Sequence, residues 1–118
     1  MEIEAPTEAS VFEDALHALA DLLDGEPPGE AVTAEVGVWA PERALLLADW
    51  LDELVYRAEA EAVIPEDVLR LELHADGLAA SVRCRHGSPR PLVKGVTHHR
   101  LSFEPVAGGF RATVVLDV

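Results

Sequence analysis

Residues 92–118 read LVKGVTHHRLSFEPVAGGFRATVVLDV, and the fold class follows from them. From Val93 to Phe103 the pattern has period two. Val93, Gly95, Thr97, His99, Leu101 and Phe103 face one way; Lys94, Val96, His98, Arg100 and Ser102 face the other. A second alternating arm sets Phe110, Ala112, Val114, Leu116 and Val118 against Arg111, Thr113, Val115 and Asp117. Pro105-Val106-Ala107-Gly108-Gly109 between them has the composition of a turn. The stretch reads as a hairpin with one apolar and one polar face. Setting Phe103 opposite Phe110 places Asp117 across from Val96, with Lys94 and His98 as diagonal neighbours at roughly 7–8 Å. A carboxylate, an ammonium and an imidazole then share a face near one strand end. The plain reading is an exposed cross-strand charge pair worth roughly 0.2–1 kcal/mol; the sharper one is a functional cluster. His98 and His99 are adjacent in a strand and point to opposite faces, so they do not chelate one ion together. His99 turns to the apolar side and reads as a hydrogen-bonded core histidine unless the strand bulges there.

Upstream the alternation changes period. Met1-Glu2-Ile3-Glu4-Ala5 reads as a short strand ended by Pro6. Thr7 then caps a helix over about 8–23, with Phe12, Leu16, Leu19 and Leu23 at helical spacing. Gly25-Glu26-Pro27-Pro28-Gly29 is a breaker. Ala31 to Trp39 alternates as a strand. A helix over 41–59 follows, with Pro41 at its favoured first position, a stripe of Ala44, Leu47, Leu51, Leu54, Val55 and Ala58, and Trp50 on the flank. Asp49, Asp52 and Glu53 fall on its polar side, a solvated face that can also lend a ligand to a hard cation. Leu69 to Ala75 and Leu78 to Cys84 form a further hairpin about an Asp76-Gly77 turn, which pairs Leu69 with Cys84. Six one-faced strands and two amphipathic helices predict an α+β two-layer sandwich: an about six-stranded mixed sheet covered by the two helices, in one domain spanning 1–118.

Composition limits the function. The 118 residues carry a net charge of −13, and every cation except Lys94 is an arginine. That balance opposes unaided nucleic-acid binding, which requires basic patches, and suits a basic protein partner or a hard metal ion. The single cysteine, Cys84, permits no internal disulfide and points to a reducing cytoplasm. No apolar run is long enough to span a membrane, and the start lacks a signal pattern. There is no phosphate loop, no G-x-S-x-G, no C-x-x-C and no H-E-x-x-H. The residue types left for a site are carboxylates, Lys94, His98 and His99.

Val93-Lys94-Gly95-Val96-Thr97-His98-His99 resembles the archease pattern Val/Ile-Lys-Ala-Val-Thr-Tyr-His. Val114-Val115-Leu116-Asp117-Val118 is similar to that family's closing strand, and Leu47-Ala48-Asp49-Trp50-Leu51-Asp52-Glu53-Leu54 to its Leu-x-Asp-Trp-Leu-Asn-Glu-Leu helix. Ala5-Pro6-Thr7 resembles its first strand–helix junction. The resemblance implies a small accessory protein, not an enzyme. It would activate an RtcB-type RNA ligase by promoting guanylylation and repeated turnover, in tRNA splicing or RNA repair. It further implies a divalent metal, calcium, with Asp117 as the matching ligand. Lys94, His98 and His99 then become candidates for ligase activation or partner contact. Gly95 stands where the family has alanine, and His98 where it has tyrosine. The family's His-Thr-Ala-Asp segment, whose aspartate is a metal ligand, precedes its first strand; here Met1-Glu2-Ile3-Glu4 already lies inside that strand, so the first ligand is expected to be missing, with Glu2 a weak substitute. Two other readings compete: a diverged acidic binding module without metal site or ligase activation, and a small hydrolase using Asp117, His98 and Lys94.

Overall fold

The elements follow in the order β1 (Glu2–Ala5), α1 (Glu8–Leu23), β2 (Ala31–Trp39), α2 (Arg43–Glu61), β3 (Val63–His74), β4 (Gly77–His86), β5 (Gly95–Val106) and β6 (Gly109–Asp117). The structure is a computed structural model that describes residues 1–24 and 29–118. The breaker read at Gly25-Glu26-Pro27-Pro28 lies outside the described residues.

Thr7 starts α1 with a reciprocal cap: its Oγ1 accepts from the Ser10 N–H, and its own N–H donates to Ser10 Oγ, each at 3.0 Å. Glu8 sits in the first turn, where the helix dipole favours a negative charge. Val11, Phe12, Ala15, Leu16, Leu19 and Leu23 form the buried stripe. Helix α2 begins at Arg43, with Glu42 as its N-cap residue, so Pro41 stands just outside it. Trp50 is fully buried, not on the flank. The indole N–H explains how: it donates to the Phe12 carbonyl at 3.0 Å, satisfying its one polar atom while joining the helices. Phe12 continues the apolar contact to Phe103, 5.8 Å between ring centroids, and Phe103 to Phe110 at 5.9 Å.

The α+β class and the element count are as expected, but the sheet is not one mixed sheet. The strands form two three-stranded antiparallel sheets, ordered β1-β6-β5 and β2-β4-β3. Two causes are visible. The α2 crossover leaves β2 and β3 parallel to each other, yet β4 is inserted between them, so no parallel neighbours arise. In addition, α2 covers an edge strand of each sheet. Asp52 Oδ1 accepts the Val96 N–H of β5 at 2.9 Å, and Arg57 Nη2 donates to the Glu35 carbonyl of β2 at 3.1 Å. At those two positions the edge backbone groups are already occupied by helix side chains. The helices pack on both sheets, α1 against β1, β3 and β6, and α2 against β2, β3 and β5, and one apolar cluster runs through all of them.

The β3–β4 turn sits one residue earlier than expected, and the β5–β6 turn is tighter than its composition implies. In β3–β4 His74 pairs with Gly77, so the loop is Ala75-Asp76 and each pairing moves by two residues. Inside and outside faces survive that shift, because the side-chain period is two. Two irregularities, between Pro65 and Asp67 and between Val68 and Arg70, then bring Pro65 opposite Cys84. Leu69 falls at the second and is 54% exposed, not paired in the core. In β5–β6 Val106 pairs with Gly109, and Phe103 lies opposite Ala112 instead of Phe110.

Candidate functional site

The second hairpin breaks register where the sequence motif lies. Ser102 pairs with Thr113, but the next pairing is Thr97 with Val115, so four residues, 98–101, stand opposite Val114 alone. Arg100 adopts the left-handed backbone conformation at φ 58° to make the turn, unusual for a side chain of its size. This bulge overturns the single-period reading of residues 93–103. Beyond it Asp117 pairs with Gly95, and Val96 pairs with Leu116 and packs against the core cluster. Asp117 therefore does not face Val96, and Lys94 and His98 are not its diagonal neighbours on one face. One alternation does not run through the strand, because residues 98–101 are not extended in register.

Each candidate residue has a defined place. Lys94 is exposed, and its backbone N–H donates to the Asp117 carbonyl at 2.7 Å, closing the open end of the hairpin. Asp117 is exposed beside it. His98 and His99 are exposed on the bulge, and the His99 N–H donates to Thr97 Oγ1 at 3.2 Å. His99 is thus a surface residue, not a core histidine; the bulge turns it out. Glu2 lies on β1 opposite Thr113, away from that strand end.

Helix α2 supplies what strand patterning did not place. Asp52 holds the Val96 N–H, and its Oδ1 would lie 3.5 Å from a Cβ added at Gly95. Gly95, where an alanine would sit in ordinary contact with Asp52, is thus flanked by Asp52 from the helix and by Asp117 across the ladder. One turn earlier, Asp49 is half-buried. Burial pushes its carboxyl above the usual carboxylate range, and the nearby Asp52 charge adds to this, while His98 opposes it. His98 therefore belongs with Asp49 electrostatically. The sequence signal for this seam is the Asp49-Trp50-Leu51-Asp52-Glu53 motif, whose carboxylates by local pattern alone are a solvated helix face.

A hard divalent cation takes six or more oxygen ligands. The chemistry of Asp117 and Asp52 suits such an ion better than zinc. Among the described residues, however, no three His, Cys, Asp or Glu side chains converge closely enough to hold one. These side chains fit a partial ligand set, not a closed cage. Among the described residues no helix is long and apolar enough to cross a membrane.

The profile of the archease protein family matches residues 1–118. Among known proteins, the chain is similar to the protein archease of Methanosarcina mazei, 31% identical over 122 aligned residues covering 95% of this chain and 84% of that protein. It is also similar to that of Methanosarcina acetivorans, 30% identical over 92% of this chain and 81% of the relative. Among solved structures, an archease of Thermotoga maritima described as a possible chaperone superposes with a TM-score of 0.71, covering all of this chain and 88% of that one at 20% identity. The solution structure of protein 1598 of Methanobacterium thermoautotrophicum gives a TM-score of 0.64 at 26% identity, over 94% of this chain and 85% of its own.

Proposed function

The chain belongs to the archease family, and from that premise we propose that it is an accessory protein, itself no enzyme, that activates an RtcB-type RNA ligase. The activity is promotion of ligase guanylylation and of repeated turnover, in tRNA splicing or RNA repair. The observation that carries the reading is the family match across the whole chain, motif residues included. The exposed hairpin end agrees with it: Lys94 and Asp117, joined through one backbone hydrogen bond, present an ammonium and a carboxylate to a partner surface. His98 and His99 extend that surface along the bulge. Asp117 serves as one ligand of a divalent cation, calcium, whose remaining ligands are water or partner groups. Its contribution is a hard-oxygen charge at the hairpin end.

The partner is the protein ligase, not RNA directly, because a net charge of −13 repels a phosphate backbone. The compartment is the cytoplasm, in keeping with a chain whose single cysteine is buried and unpaired.

The test is RNA-ligase turnover with an RtcB-type ligase, GTP and divalent metal, with and without this chain. The wild-type chain raises the number of ligations per ligase. Asp117→Ala abolishes the stimulation while leaving the melting temperature in place, because the side chain is exposed. Unchanged stimulation by that variant would sink the site assignment, and no stimulation by the wild type would sink the ligase reading.

A further inference from the structure

A second surface lies beside the hairpin end, between the last residues of β2 and the polar stripe of α2. Gly37, Val38 and Trp39 form one wall of a groove of about 420 Å3; Asp49, Asp52, Glu53 and Tyr56 form the other. The helical residues are spaced three, one and three apart, so they line one helix face. Trp39 is 69% exposed and Tyr56 58%. Of the large apolar side chains left open to solvent, these two are the aromatic ones among the described residues, and both border this groove.

Trp39 is held flat. A Cβ at Gly37 would come 3.1 Å from indole Cζ3, and one at Gly77 would come 3.0 Å from Nε1. The indole therefore lies against two strand positions that carry no side chain, with most of its surface open to solvent at the border of the groove. A fixed, solvated indole loses little side-chain entropy when something stacks on it, and such residues dominate protein interfaces.

The charge in the groove is one-sided. Glu53 is taken by Arg57, whose Nε stands 2.7 Å from it. Asp49 and Asp52 stand one helical turn apart, and among the described residues neither has an arginine or lysine within ion-pair distance. Like charges at that spacing repel. An incoming cation relieves that repulsion and meets aromatic faces at the same time.

We propose that this groove binds an arginine side chain from a basic segment of a protein partner, stacked on Trp39 and paired with Asp49. Guanidinium suits it better than ammonium: it is planar, stacks on an indole, and donates a two-pronged hydrogen bond to a carboxylate. Nucleic acid is excluded by the sign of the charge. The assignment goes beyond the ligase reading and stands or falls without it, because its test needs no ligase.

The probe is the peptide acetyl-Gly-Arg-Gly-Arg-Gly-amide, titrated into the full chain while the two indole N–H resonances are followed by NMR; Trp39→Phe assigns them. The expected result is a saturable shift of the Trp39 resonance with the buried Trp50 unmoved, weakened by added salt. The lysine version of the peptide binds several-fold more weakly. Trp39→Ala and Asp49→Asn each weaken the arginine peptide, the former by roughly 3- to 30-fold. Both positions are at or near the surface, so both variants fold, and a melting curve verifies it. Four results overturn the proposal: no shift at millimolar peptide, equal shifts with an all-glycine peptide, a shift produced by calcium alone but not by peptide, or a shift that follows protein concentration without peptide. The last two would make the groove a cation site or a self-association surface.

Discussion

Hairpin β3–β4 takes up its extra residues in two places, near Glu66 and Leu69, whereas β5–β6 takes up all of its extra residues between Thr97 and Ser102. In both hairpins the extra residues fall on the edge strand, β3 or β5, and what surrounds those strands accounts for the difference: Ile64, Val68, Leu71 and Leu73 of β3 are buried or pack on the core, whereas His98, His99 and Arg100 of β5 are all exposed. Strand β4 is the centre of its sheet, paired with β2 along its length on one side and with β3 on the other. Leu78, Ala80, Val82 and Cys84 are all buried along it, so a large bulge there would expose core and break two ladders. Strand β5, like β3, is an edge strand, with β6 as its one ladder partner among the described residues. Its bulge costs one ladder, and the Asp52 carboxylate takes up a backbone N–H there. Stability sits where core side chains hold the register of an edge strand, and the candidate chemistry sits where the exposed run of β5 comes out of register.

Thiol labelling gives the largest expected contrast between the two. Burial pushes the Cys84 thiol up to about 11 from 9.0, which lowers its thiolate fraction about 100-fold before access is counted. A thiol reagent at pH 8 is expected to leave the native wild-type chain unlabelled, while His99→Cys gains one site that labels orders of magnitude faster. Comparable rates at the two positions would mean that β4 opens as readily as the bulge, and the contrast would fail.

Next in size is core truncation. Leu78 is 1% exposed at the start of β4, and Leu78→Ala is expected to cost roughly 2–5 kcal/mol in urea denaturation. His99→Ala is expected to leave the midpoint where it is, since its side chain is exposed. A bulge variant as costly as Leu78→Ala would show that the bulge holds the fold together.

This contrast also marks what the sequence could and could not say. The helices and strands were legible because their stripes are long and apolar: Phe12, Leu16, Leu19 and Leu23 leave little choice of period. Inside and outside faces on β3–β4 were legible near the turn for the same reason. The bulge at 98–101 was not, because a polar run such as His98-His99-Arg100 has no buried side to reveal a change of parity. Lys94 and Asp117 were found by motif, and the structure does place them at one strand end, but through a backbone contact instead of a shared face. Asp49 and Asp52 read locally as a polar helix face. Their role depends on which strand lies against that face, a long-range fact that local periodicity does not encode. The split into two sheets was hidden for the same reason, since it rests on which strands pair across long stretches of chain.

Asp52→Ala sharpens the comparison at the edge. It removes the acceptor of the partly buried Val96 N–H and is expected to cost about 1–3 kcal/mol. The more telling readout is amide hydrogen exchange. Val96 should exchange faster in the variant, while amides of β4 keep their protection relative to global stability. If β4 amides lose protection and Val96 does not, the edge contact is not what steadies β5.

The smallest effect, and the one that tests the electrostatics of the seam, comes from Asp49. Its folded-state pKa is raised, first by burial and then by Asp52. The ionised form is therefore disfavoured in the native state relative to the unfolded chain. That cost is present in full above the raised pKa. As pH falls through it the native state takes up its proton first, so the cost shrinks, and it is gone below the ordinary value of 3.8. Asparagine has no charge to hold, so Asp49→Asn should melt higher than wild type at neutral pH, and the difference should close on acidification. His98 works against the cost, because its positive charge, when carried, favours the ionised carboxylate. His98→Ala in the wild-type background should therefore deepen the cost, and in the Asp49→Asn background should do nothing. Melting curves of the four chains across the acidic range decide it. If Asp49→Asn melts lower at neutral pH, the carboxylate is held by an attraction instead of strained by a neighbour, and it is then no longer a charge waiting for a partner's cation.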